Sequence, residues 1–143
     1  MKAHQRIIRE KKSIEQSGDL FGNYWESLDV DITKSEVRAI DYKTAKKIIL
    51  EYEWLGTMGT TQFHYGLYFD GTLAGVTCFG YFQAMNTNSG GHPYAPYVGV
   101  EHAKKGIQLS RGACVHWAHE HSGSKLISQS LKFMNEKGYK YAI

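Results

Sequence analysis

Cysteine, proline and long apolar runs are all scarce in this chain, and each scarcity excludes something. The two cysteines, Cys78 and Cys114, have neither metal-ligand nor redox-motif spacing and are too few for a disulfide framework. A reducing, cytoplasmic setting is therefore expected. No apolar run approaches the roughly 18 residues that a membrane-spanning helix needs. The start, Met1-Lys2-Ala3-His4-Gln5-Arg6, is charged and leads into no signal-like apolar stretch. Both prolines, Pro93 and Pro96, fall in a single stretch, so nothing breaks the elements elsewhere.

A large charge surplus is missing too. The 17 Lys/Arg and 14 Asp/Glu leave a net charge of +3, and all of it sits in residues 1–16. There Lys2, Arg6, Arg9, Lys11 and Lys12 face Glu10 and Glu15, while elsewhere the two signs cancel. Such a basic extension can contact DNA phosphates with salt-sensitive affinity, or be a solvated helix that aids solubility. What is present is ordinary globular composition, 42% hydrophobic and 22% charged, in 143 residues. That length allows one domain with a real core. Residues 1–36 read as a polar, basic extension in which Ile7, Ile8, Ile14, Leu20 and Phe21 make one thin apolar stripe. Residues 37–143 read as the domain.

Local signals divide that domain. Val37–Ile40 is a first strand, and Asp41 is the N-cap of a helix whose Ala45, Ile48, Ile49 and Tyr52 share a face. Gly56 suits the residue just past its end. Phe63, Tyr65, Leu67 and Phe69 alternate with His64, Gly66 and Tyr68, and Asp70-Gly71 then predicts a hairpin into a strand over Thr72–Phe82. Residues 84–97, rich in Asn, Gly and Pro, form a long loop. A further strand is expected over Ile107–Ala118. Arg111 falls on the parity of Ile107, Leu109, Ala113, Val115 and Trp117, so a charge sits in an apolar row and needs an anion. That anion is either a carboxylate, Glu101 or Glu120, or a substrate group.

After the polar turn His119-Glu120-His121-Ser122-Gly123-Ser124, a helix follows with Leu126, Ile127, Ser130, Leu131 and Met134 on its inner face. Gly138 ends it, and Tyr139–Ile143 begins a strand. The order β-α-β-β-β-α-β predicts an α/β (α+β) fold with a mixed central sheet and flanking helices. The first N–H groups of the last helix, at Ser122, Gly123, Ser124, Lys125 and Leu126, lack intrahelical acceptors and favour an anion such as pyrophosphate. As a plain helix cap, the Ser-Gly-Ser segment would look the same. His116, His119 and His121 lack a well-spaced third ligand, so no metal site is expected.

Several segments together resemble the Mom-type DNA-modification proteins of bacteriophages. These are Glu53-Trp54-Leu55-Gly56-Thr57-Met58, the hairpin with Tyr65-Gly66-Leu67-Tyr68 and Leu73-Ala74-Gly75-Val76, and Leu109-Ser110-Arg111 followed thirteen residues after Arg111 by Ser124-Lys125-Leu126-Ile127. The resemblance spans roughly residues 37–143. It implies a divergent fold of the Gcn5-related N-acetyltransferase (GNAT) type and modification of adenine N6 in DNA, which protects phage DNA from restriction. It also implies acetyl-CoA as cofactor, with its pyrophosphate on Ser122–Leu126 and its pantetheine arm beside Cys114, Val115 and His116. Arg111 and Ser124 match functional residues of the family; Glu53 as a base and Tyr65 as an acid or stacking group complete the candidate catalytic set.

The usual GNAT turn signature, Gln/Arg-x-x-Gly-x-Gly/Ala, is replaced by His119–Ser124, and Glu53-Trp54 stands where some relatives carry a His-Tyr pair. The family pattern continues beyond Ile143, so the C-terminal strands are expected to be missing, with a second polypeptide as one possible supplier and weak catalysis by this chain alone. Competing readings are a conventional amine N-acetyltransferase and a non-catalytic DNA-binding module of the same fold.

Overall fold

Asp70 and Gly71 both take positive φ, 48° and 76°, which matches the right-handed twist of the strands they join. Around this turn the computed structural model, which describes residues 5–17, 28–81 and 95–143, builds a five-stranded mixed sheet with helices on both faces. The elements are α1 (Gln5–Ser17), β1 (Glu36–Ala39), α2 (Tyr42–Tyr52), β2 (Phe63–Phe69), β3 (Thr72–Gly80), α3 (Ala95–Val98), α4 (Val100–Ala103), β4 (Gly106–Cys114), α5 (Ser122–Glu136) and β5 (Tyr141–Ala142). The strands lie in chain order; β1 to β4 pair antiparallel, and β5 runs parallel to β4. This is an α+β fold, as the order of elements predicts.

The two sheet faces are told apart by their contacts. On one, Thr77 of β3 hydrogen-bonds Ser130 of α5 at 2.8 Å, and Tyr65 of β2 stacks on Phe133 at 5.2 Å. On the other, α2 packs, with Tyr42 against His64 and with Ala45, Ile49 and Tyr52 buried. Asp41 caps α2 by accepting from the Thr44 N–H at 2.7 Å. The core residues Leu67, Phe69, Val76, Phe79, Ile107, Leu126 and Met134 are all essentially inaccessible. Burying each such side chain contributes about 1.5–3 kcal/mol.

Several expectations need correction. Gly56, at φ 62°, does not end α2; Glu53 is the C-cap, and Gly56 turns the chain three residues later. The loop ends sooner than predicted, because α3 and α4 occupy 95–98 and 100–103; residues 82–94 lie outside the described residues. The strand after them stops at Cys114, since Val115 gives its N–H to Ala74 O and the chain then turns. On α5 the buried stripe is Ser122, Leu126, Ser130 and Met134, an i, i+4 row, while Ile127 and Leu131 sit at its exposed margin. On α1, Ile8 packs against the core, whereas Ile7 and Ile14 are exposed; Leu20 and Phe21 are outside the described residues.

The most consequential correction concerns Arg111. In the β3–β4 ladder Phe79 faces Leu109, but Cys78 faces Arg111, so Ser110 is an extra residue, a β-bulge. Leu109 therefore lies on the α5 face with Phe79. Arg111 lies with Cys78 on the α2 face, still in line with Ala113 as predicted but parted from Leu109 and Ile107.

Candidate functional site

Beyond Leu109, which gives its N–H to Ile143 O, β4 borders a cleft of about 450 Å³. Its walls come from α1 (Arg9), the turn after α2 (Glu53), β3 (Val76, Thr77), β4 (Leu109–Cys114) and the start of α5 (Ser122, Gly123, Leu126) with the preceding turn (His119, Glu120). The volume is within the roughly 300–1,000 Å³ usual for small-molecule sites.

The bulge aims Arg111 across this cleft at the turn following α2. Its Nε donates to Thr57 O at 2.7 Å, Nη2 to Thr57 Oγ1 at 3.3 Å, and Nη1 to Ser110 O at 2.6 Å. No carboxylate among the described residues pairs with it, so neither Glu101 nor Glu120 is its anion. Gly59, at φ 62°, leaves room for the guanidinium, since a Cβ there would lie 3.2 Å from Nη2. Glu53 is 6% exposed, and its Oε2 accepts from the N–H groups of Leu55 at 2.8 Å and Gly56 at 3.3 Å. Its carboxylate thus organises the same turn that Arg111 holds.

At the other wall α5 begins without a side-chain cap from His121. The Ser122 N–H reaches His119 O at 2.9 Å and the Lys125 N–H reaches His121 O at 3.0 Å, but those of Gly123 and Ser124 have no acceptor among the described residues. Ser122 is 1% exposed and its Oγ has no hydrogen-bond partner among the described residues, although the residue lines the cleft. His119 accepts from the His121 N–H at 3.1 Å through Nδ1, which leaves its ring proton on Nε2.

The remaining predicted site residues divide. Cys114 lines the cleft and burial pushes its thiol up from its ordinary value, so it is a neutral thiol. Val115 is buried and His116 lies behind the cleft, with Nδ1 3.0 Å from Tyr52 Oη. Burial, then the Arg9 charge, pushes the His116 imidazolium down. Lys125 is not a cleft cation. Helical geometry, 3.6 residues per turn, carries it round from Ser122 and Gly123, and its Nζ donates to Ile32 O at 2.7 Å and Ser35 O at 2.8 Å. The Ser124 side chain likewise points to the outer side of α5, leaving its backbone N–H at the helix start. Tyr65 is in the core, 2% exposed, with its hydroxyl on Met134 Sδ at 3.3 Å, and does not line the cleft.

Of the basic extension, Lys2 and the Arg6 side chain lie outside the described residues; Lys11 is exposed and Lys12 pairs with Glu51 at 3.0 Å. Arg9 instead enters the cleft. Its Nη2 donates to His116 O at 3.4 Å, and its Nε is buried without a partner among the described residues. Nothing in the sequence marked Arg9 as a cleft residue, because that contact joins residues 107 positions apart.

With this geometry in hand, comparison with known families shows a match to the Mom protein family over residues 34–142. The chain belongs to the Mom protein family. No curated protein matched the chain. The Mom family match takes in both walls of the cleft except Arg9, and it points to bacteriophage DNA modification. Among the described residues no group of three or more His, Cys, Asp or Glu side chains is placed to hold a metal ion, and no helix is long and apolar enough to cross a membrane.

Proposed function

We infer that this Mom-family chain takes part in modifying adenine N6 in phage DNA, as a GNAT-like protein that holds an acetyl-CoA-type cofactor in the cleft beside β4. One observation carries the reading: the uncapped start of α5 borders the cleft with Ser122 and Gly123, and brings together the Gly123 and Ser124 N–H groups and a buried Ser122 hydroxyl that lack partners among the described residues. A buried hydroxyl without a partner is costly unless a ligand completes it, and the positive end of a 15-residue helix selects an anion. A pyrophosphate fits that donor set. The pantetheine arm would then lie along β4, past Arg111 and Cys114.

When bound, acetyl-CoA supplies an activated acyl carbon. The chain's own part is to hold the phosphates at Ser122–Ser124, to keep the cleft wall in place through Glu53 and Arg111, and to leave the Arg111 edge open to the acceptor. A base carrying N6 reaches such a recess by leaving the stack, and the basic extension, with Lys11 exposed, would contact DNA phosphates. Protection from restriction follows if modified adenine escapes host nucleases.

The test is direct. Calorimetric titration of acetyl-CoA into the chain is expected to show one site, and adenine recovered from DNA of cells expressing the chain should carry an added mass. No heat of acetyl-CoA binding would overturn the reading. A second reading, binding without chemistry, is favoured by Tyr65 and the Ser124 side chain lying away from the cleft. Cofactor binding with unmodified adenine would select it.

A further inference from the structure

An anion at the start of α5 is best held with a cation, and the two that the sequence offers, Lys125 and Arg111, are anchored elsewhere. Lys125 gives its ammonium to the carbonyls of Ile32 and Ser35. Arg111 lines the cleft, but three of its five N–H groups tie it to Thr57 and Ser110, at the wall opposite α5. The other arginine of the cleft is Arg9. It alone of these three keeps a buried N–H, at Nε, with no acceptor among the described residues, and its hydrogen bond to His116 O is long at 3.4 Å. A charged donor removed from water without an acceptor is costly, so a site that keeps one is arranged for a ligand.

Two residues from opposite ends of the described chain, Arg9 and Ser122, thus line a single cleft, each with a buried polar atom that has no partner among the described residues. We propose that Arg9 is a binding residue for the diphosphate of the ligand held at the start of α5, which makes α1 one wall of the site. This rests on the cofactor reading above for the identity of the ligand, but not for the presence of an anion. Helix α1 is held in place independently, through Ile8 on the core and Lys12 on Glu51. Arg9 therefore approaches the cleft from a docked element, whereas a free basic arm would spread its charges over DNA.

The experiment uses the full chain with two probes, inorganic pyrophosphate and CoA, and with pantetheine as the phosphate-free comparison. Arg9→Met keeps the aliphatic stem and removes the charge. It is expected to weaken pyrophosphate and CoA by about tenfold or more while leaving pantetheine unchanged, with partial recovery in Arg9→Lys. Lys12→Met removes an α1 charge that does not line the cleft, while Ile8 still docks the helix, and is expected to bind both probes as the parent does. Melting curves of each variant accompany the titrations; if Arg9→Met fails to fold, Arg9→Lys carries the test through a several-fold loss on pyrophosphate.

Equal binding by Arg9→Met and the parent overturns the proposal, as does a loss of the same size in Lys12→Met. Pyrophosphate binding that depends on Arg9, with CoA no tighter than pyrophosphate, supports Arg9 and counts against the cofactor reading. Binding of neither probe by the parent overturns both. Arg9-dependent binding of a single-stranded oligonucleotide, with none of pyrophosphate, also overturns the proposal and assigns Arg9 to DNA.

Discussion

Arg111 joins two pieces of chain 54 positions apart, because one planar guanidinium can serve the carbonyl and hydroxyl of Thr57 and its neighbour's carbonyl together. A lysine has a single point charge and cannot reproduce that fork. Arg111→Lys is therefore expected to loosen the turn at Thr57–Gly59, lower the unfolding free energy by about 1 kcal/mol, and reduce adenine modification by at least about tenfold. Urea unfolding and nucleoside mass spectrometry check the two effects; unchanged modification would remove Arg111 from the working site. That an arginine here needed an explanation was legible from its apolar neighbours. Its partner was not, because Ser110 bulges and reverses the side of the sheet on which Arg111 emerges. An extra residue in a strand leaves no mark in composition.

At the level of elements, the hairpin and α2 were readable since their signals are local. Asp70-Gly71 needs positive φ at both positions, and Asp41 caps the N–H three residues on. The orientation of α5 was half readable. The i, i+4 row that buries Ser122, Leu126, Ser130 and Met134 includes two serines, one of which is satisfied by Thr77 across the interface. A reading based on apolar periodicity replaces those serines with Ile127 and Leu131.

Close approach of β3 to the turn after α2 gives a sharper test. A Cβ on Gly80 would run into the Thr60 carbonyl, which is backbone and cannot rotate away. Gly80→Ala is expected to destabilise by about 1–3 kcal/mol. Gly112→Ala, whose nearest contact would be Val76 O at 3.5 Å, should stay within about 0.5 kcal/mol. Denaturant midpoints decide it, and equal midpoints for the two variants would refute the packing argument.

For the molecule as a whole, acid sensitivity follows from two histidines held neutral. Burial lowers the pKa of His64, against a weaker opposing effect of Asp41, and burial together with the Arg9 charge lowers that of His116. The unfolded chain then binds protons that the folded chain refuses. Their contribution is fully present above the ordinary histidine value of about 6.5 and is lost as pH falls from there towards the lowered folded values. Asp31 and Asp41 act lower, in the carboxylate range, where their hydrogen bonds to Thr33 and Thr44 hold their pKa values down. The expected outcome is a melting temperature that drops between pH 7 and 5, with a flatter profile in His64→Gln. A parent profile that stays level over that interval would contradict the burial of these rings. This property was hidden in the sequence, where His64 and His116 look no different from exposed His121; only the packing of distant segments separates them.

The two cysteines, which form no bond with each other, supply a chemical clock on the cleft. Cys78 is sealed in the core with its thiol pushed up to about 12, so it stays silent towards alkylating reagents. Cys114 lines the cleft and is slowed by its own raised pKa, so slow alkylation at this one site is the expected outcome, checked by mass spectrometry. Whatever lies along β4 shields that sulfur. The rate of a single alkylation, read as one mass increment, therefore counts how often the cleft is filled, with no need to know what chemistry follows.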